Sequence, residues 1–221
     1  MKNPVTVASG TFGSGMEFAD FVDLSKLGAV TTKGVANVPW AGNPTPRIAE
    51  TPSGMMNAIG LQNPGIDTFI KRDLPFLAEY DTKVIVNVCG KSTEDYVDVV
   101  ERLADTSADL LEINVSCPNV KEGGIAFGQD PKALYDITTK VKAAAKQPII
   151  MKLSPNVTDI TEMARAAEAG GFFEQGSDLD ITVLLGLGCV ISVFVASHGF
   201  ACEGFHQVLF GLCSFKVFHD M

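Results

Sequence analysis

Histidine is absent from the first 171 residues of this chain, and proline is absent after position 155. The first absence removes every Cys–His and Ser–His–Asp arrangement from that part of the sequence. The five cysteines, Cys89, Cys117, Cys189, Cys202 and Cys213, form no CxxC pair. Neither a zinc site nor a disulfide framework is therefore expected, and a reducing, cytoplasmic location is. Basic residues are few. Seventeen Lys and Arg stand against 26 Asp and Glu, a formal charge of −9, with no basic run of five or more. That balance argues against nucleic acid and acidic membrane surfaces as partners. No GxGxxG follows a strand-like run and no P-loop occurs. The opening residues, MKNPVTVASG, are polar and carry Gly and Pro, unlike a signal peptide.

What is present is a chain of 221 residues, 46% hydrophobic, enough for a sizeable core in one or two domains. Its composition changes abruptly. Residues 172–221 hold all three histidines, 8 of 14 Phe and 3 of 5 Cys, but only six charged residues against 37 in the first 171. This predicts a boundary: residues 1–171 as one unit, and 172–221 as an atypical hydrophobic tail, read as foreign or frame-altered. The plainer alternative is a hydrophobic second half of one domain. Within the tail, ITVLLGLGCVISVFVA at 181–196 is almost unbroken apolar sequence. A membrane span needs about 20 such residues. This run is short of that, and its glycines and β-branched residues suit buried strands as well.

In the first 171 residues, short β-rich runs alternate with helix-length segments. Strands are expected at 5–8, 29–32, 84–88, 110–115 and 149–153. They are continuous apolar runs, the pattern of strands buried on both faces of a parallel sheet. Ser92 with Asp95 predicts a capped helix carrying Tyr96, Val99, Val100 and Leu103 at helical spacing. Asp130-Pro131 opens another through position 146, and Thr158 caps a third ending at Gly170-Gly171. Right-handed βαβ units follow. Five strands in this order begin either a (β/α)₈ barrel or a doubly wound sheet.

Each expected strand ends in polar residues: Ser9-Gly10, Lys33-Gly34, Asn87, Asn114 with Ser116-Cys117, and Lys152 with Ser154. Barrel enzymes build active sites from such strand ends. Singly, a lysine there is a surface charge and an asparagine a turn former; the recurrence over five strands points to a site. Pro118 restricts Cys117 to extended backbone at a strand tip. A buried small hydrophobe is the usual fate of a free cysteine. With no histidine nearby in sequence, a cysteine acting alone as a base is the more attractive chemical reading. Two strand-end lysines suit an anionic or electron-rich ligand such as a reduced flavin. Asn57, Asn114 and Asn119 offer amides that can read a planar ring with alternating donors and acceptors.

The segments ASGTFG (8–13), TTKGV (31–35), GNPTPRIAETPSGMMNAIGLQNPG (42–65), VNVCG (86–90), EINVSCPN (112–119) and MKLSPN (151–156) resemble class 1 dihydroorotate dehydrogenases. The ASGTFG and NAIGLQNPG forms are similar to subclass 1B, the NAD-linked type; a fumarate-linked type is the alternative. The resemblance runs over residues 3–171. It implies a (β/α)₈ TIM barrel, incomplete here with five of eight strands recognisable, and FMN at its rim. It implies oxidation of dihydroorotate to orotate in pyrimidine biosynthesis. By motif, Ser9, Lys33, Gly34, Asn87, Asn114 and Lys152 would contact FMN. Lys33, Asn57, Ala58, Ile59, Gly60, Leu61 and Asn114 would contact substrate, and Cys117 would be the catalytic base. No metal is expected on this chain. FAD and a 2Fe-2S cluster are expected on a partner subunit, in a heterotetramer built around a homodimer. The tail FFEQGSDLDITVLLGLGCV matches nothing in the pattern, so the family's later strands and FMN-phosphate loops are missing from it. Inactivity of the chain alone is the resulting expectation. Two other readings compete: a non-catalytic fragment with a membrane-associated tail, and a dihydropyrimidine dehydrogenase-like flavin barrel.

Overall fold

The computed structural model describes residues 1–116, 127–154 and 156–171, and the backbone of two strands at 181–187 and 191–196. A seven-stranded sheet organises them. Its strands are β1 (Thr6–Val7), β2 (Ala29–Thr31), β5 (Lys83–Val88), β6 (Leu110–Asn114), β7 (Ile149–Leu153), β8 (Ile181–Leu187) and β9 (Ile191–Ala196), adjacent in that order. A separate two-stranded hairpin, β3 (Ile48–Thr51) and β4 (Gly54–Asn57), stands outside it. All pairings from β1 to β8 are parallel, and β9 runs antiparallel to β8.

Strand order follows chain order without reversal. A doubly wound sheet needs a switch point where the order turns back, and this sheet has none. The arrangement is an incomplete (β/α) barrel, as the strand pattern and motifs lead one to expect. Helices α3 (Thr93–Leu103), α4 (Pro131–Ala144) and α5 (Ile160–Gly171) lie in the β5–β6, β6–β7 and β7–β8 connections.

Side-chain alternation separates two faces. Val84, Val86 and Val88, Leu111, Ile113 and Val115, and Ile149, Met151 and Leu153 point to the helices. There they meet Tyr96, Val99, Val100 and Leu103 of α3, Leu134, Ile137 and Val141 of α4, and Met163 and Ala167 of α5. Each large aliphatic so buried contributes about 1.5–3 kcal/mol of transfer free energy. The opposite, inward face has an apolar floor, Ala29, Ile85 and Ile150 with Leu110 packed on them. One pleat higher it turns polar, with Asn87 and Glu112, and Asn114 follows a further pleat along β6.

The helix starts have identifiable causes. At α3 the Ser92 hydroxyl accepts from the Asp95 amide, and the Asp95 carboxylate accepts from the Ser92 amide. At α4 Asp130 accepts from the Lys132 amide, with Pro131 first in the helix. That helix stops at Ala144 rather than 146, because Ala145 is extended (ψ 135°). For α5 the capping residue is Asp159, not Thr158: Asp159 Oδ1 accepts from the Thr161 amide at 2.8 Å. A further helical segment went unforeseen. It comprises α1 (Ile66–Thr68), a π-turn at Phe69–Asp73 and α2 (Leu74–Leu77), and it buries Ile66, Phe69, Leu74 and Leu77. The apolar stretch at 181–196 forms two strands, and no helix among the described residues is long and apolar enough to cross a membrane.

Candidate active site

The carboxyl ends of the parallel strands form a rim. At the end of β2, the Lys33 amide donates to Gly13 O at 2.8 Å, and the Val35 amide to Asn87 O at 2.8 Å. The backbone of Lys33-Gly34 is thus pinned between the loop after β1 and the tip of β5. Gly10 (φ +85°) lies beside it: a Cβ there would stand 3.7 Å from Lys33 Nζ. Gly34 is required by close approach. A Cβ on it would come within 3.0 Å of Asn87 Oδ1 and 3.3 Å of Cys89 Sγ.

Asn87, near the end of β5, pairs in register with Glu112 of β6, and Asn114 pairs with Lys152 of β7. All of these lie on the inward face. Asn87 Nδ2 donates to Glu112 Oε1. Asn114 Nδ2 donates to Asn87 Oδ1 at 3.2 Å, and Asn114 Oδ1 accepts from Ser116 N at 3.2 Å and Ser116 Oγ at 3.0 Å. The Tyr96 hydroxyl, buried under the sheet, donates to Asn114 O at 2.8 Å and fixes the backbone there. Burial pushes the Glu112 carboxyl above the usual glutamate range, against the opposing pull of the Lys152 ammonium, the Asn87 amide and the Ser9 hydroxyl.

Five of the expected cofactor contacts, Ser9, Lys33, Asn87, Asn114 and Lys152, therefore stand on one rim, with Gly34 beneath Asn87. The substrate residues divide. Leu61 reaches the rim, its Cδ2 3.6 Å from a Cβ position on Gly34. It adopts φ +51° after Gly60 at φ +76°. Asn63 holds this bend, its Nδ2 donating to Leu61 O at 2.8 Å while its Oδ1 accepts from the Ala36 and Gly65 amides. Ile59 is tied by its carbonyl to the Asn43 amide at 3.0 Å. Asn57 ends the hairpin and, like Ala58, is exposed away from the rim's hydrogen bonds. Cys117 lies outside the described residues.

Glu112 was not foreseen as part of the site. The available signal was a lone carboxylate in the apolar run Leu110–Asn114, two residues before Asn114 and so on its face. Tyr96 was foreseen only as a core residue. Asn63 lies within the family-like segment 42–65, but no role was drawn from it.

The structure is an incomplete (β/α) barrel with ammonium and amide groups gathered on its carboxyl rim, the end from which barrel enzymes build their sites. The family model for dihydroorotate dehydrogenase matches residues 1–176, and the chain belongs to that family. It is 72% identical over 170 residues to the dihydroorotate dehydrogenase B (NAD(+)) catalytic subunit of Lachnoclostridium phytofermentans, covering 77% of this chain and 57% of that protein. To the same subunit of Alkaliphilus metalliredigens it is 59% identical over 187 residues, covering 85% and 61%. A crystal structure of Eimeria tenella DHODH in complex with ferulenol shares the fold, with a TM-score of 0.62 at 24% identity over 76% of this chain and 54% of that one. The chain thus spans about three fifths of the length of the curated relatives it matches.

Proposed function

We propose that this chain carries the front part of the catalytic barrel of an NAD-linked dihydroorotate dehydrogenase, which oxidises dihydroorotate to orotate in pyrimidine biosynthesis. The observation that supports it most is the run of Asn87, Asn114 and Lys152 around Glu112, on a chain so similar to subunits of that name.

The rim suits a flavin. Lys33 and Lys152 bring positive charge, and the two asparagines bring N–H donors. Ser9, Lys33, Gly34, Asn87, Asn114 and Lys152 would hold FMN, which when bound supplies the acceptor for the hydride lost from C6 of dihydroorotate. Lys33 and Lys152 would balance charge on the electron-rich ring. Lys33, Asn57, Ala58, Ile59, Gly60, Leu61 and Asn114 would orient the substrate, the lysine through the carboxylate. Cys117 would take the proton from C5, so that the C5–C6 double bond forms as both hydrogens leave.

The relatives' description as a catalytic subunit supports a separate electron-transfer subunit, which would carry FAD and a 2Fe-2S cluster. Among the described residues no group of three His, Cys, Asp or Glu could hold a metal. A homodimer within a heterotetramer, in the cytoplasm, completes the reading. Residues 172–221 are proposed to be foreign to the family's pattern; resequencing the DNA around codons 168–175 tests this, and an intact frame there would count against it.

Titrating the purified chain with FMN, following flavin fluorescence, and assaying orotate formation test the function. FMN binding with turnover of dihydroorotate is the expected outcome for a barrel completed to the relatives' length, while the chain alone is expected to form no orotate. In a barrel completed to the relatives' length, Cys117→Ala should lower turnover about 100-fold or more while FMN still binds. Preference for dihydrouracil over dihydroorotate would favour the dihydropyrimidine dehydrogenase-like reading.

A further inference from the structure

Glu112 has no assigned part in this chemistry, yet it is a carboxyl group only 4% exposed in the middle of the rim. Burying such a group is costly unless donors surround it. Here Asn87 Nδ2 and the Ser9 hydroxyl donate to it, and the Lys152 charge offsets part of the effect of burial.

Asn87 turns its NH₂ toward Glu112, whose Oε1 accepts from Nδ2. That leaves Asn87 Oδ1 facing β6, and Asn114 answers with its own NH₂ at 3.2 Å. The Asn114 oxygen then faces away, where Ser116 N and Oγ occupy both its lone pairs. An asparagine amide has two N–H donors and two acceptor lone pairs. Asn114 is left with one N–H and no acceptor to offer.

We propose that Glu112 is a positioning residue that sets the direction of the Glu112–Asn87–Asn114–Ser116 chain, so that Asn114 meets a bound ring only as a donor. The partner group on the ligand is then an acceptor, such as a ring carbonyl oxygen. The identity of that ligand rests on the proposed function, but the direction of the chain needs no ligand.

The test is side-chain amide NMR on the ¹⁵N-labelled full chain without flavin or substrate. In the wild type, one proton of each amide pair on Asn87 and Asn114 should exchange slowly and the other fast. Glu112→Gln keeps an acceptor that can face Asn87, and both amide signals should stay in place. Glu112→Leu removes it, and both should move together toward free-amide positions. The Asn37 amide, bonded to Asp95 elsewhere, should not move in either variant. Movement of Asn87 alone, or of neither, would overturn the proposal. If Glu112→Leu fails to fold, the wild-type exchange pattern decides: equal exchange of the two Asn114 protons overturns it. The expected amide pattern in this chain, with no orotate formed by a barrel completed to the relatives' length, supports this inference while counting against the assigned reaction.

Discussion

Asn87 and Glu112 sit opposite one another on adjacent parallel strands, and the amide of the first donates to the carboxylate of the second. This pair joins the apolar floor of the barrel to its polar rim, and it has a thermodynamic consequence. The Glu112 carboxyl is raised above its ordinary value by burial. The folded state therefore binds its proton more readily than the unfolded state does. The resulting stabilisation is fully present below the ordinary value of 4.5 and is lost as pH rises through the elevated folded value. Relative to Glu112→Gln, the wild type should thus lose stability as pH climbs above 4.5. Urea denaturation of both proteins along a pH series measures this. A difference that stays constant with pH would contradict it.

Gly34→Ala places a methyl group 3.0 Å from Asn87 Oδ1 and 3.3 Å from Cys89 Sγ. Both neighbours are buried at the tip of β5, so neither yields freely. The substitution should cost about 1–3 kcal/mol and disturb the amide chain at Asn87. Thermal denaturation reads the first effect and the Asn87 side-chain resonance the second. Gly54→Ala serves as a control, since its nearest neighbour would be Thr51 Oγ1 at 3.9 Å.

Tyr96→Phe deletes a buried hydroxyl and leaves the Asn114 carbonyl without that donor. A loss of about 1–3 kcal/mol follows. Equilibrium unfolding in urea should show it as a lower midpoint with unchanged slope. Tyr135→Phe, on the exposed side of α4, should leave the midpoint where it is.

The start of α5 gives a paired comparison. Asp159→Ala removes the oxygen that accepts from the Thr161 amide and hydroxyl and should lower the melting temperature. Thr158→Ala should not. These hydrogen bonds hold the Asp159 carboxyl below its usual range, so the stabilisation is present above the ordinary value of 3.8 and is lost as pH falls through the lowered folded one. Equal effects of the two variants on melting would show that the cap lies elsewhere.

The sheet was legible because its strands are buried on both faces. Runs such as Lys83–Val88 and Ile149–Leu153 are then nearly continuous in Val, Ile, Leu and Met, and their order survives in the sequence. The rim was legible as well, since polar residues that end apolar strands stand out. The β3–β4 hairpin was not. Its residues are mostly exposed, Met55 and Met56 at 63% each, so no burial pattern marks them as strands. The segment from Ile66 to Leu77 was missed because Pro75 and Asp73 interrupt the apolar spacing. Glu112 was hidden for the opposite reason: a charge inside a buried strand reads as an exception until register sets it beside Asn87. The catalytic part assigned to Cys117 rests on motif alone.

The antiparallel turn-back of β9 changes the chain's heading. Ala196 comes level with Thr182, near the start of β8. A chain that had run toward the mouth of the barrel on six successive strands is thereby returned to its base. The downstream end of β9 accordingly lies at the opposite end of the sheet from Lys33, Asn114 and Lys152.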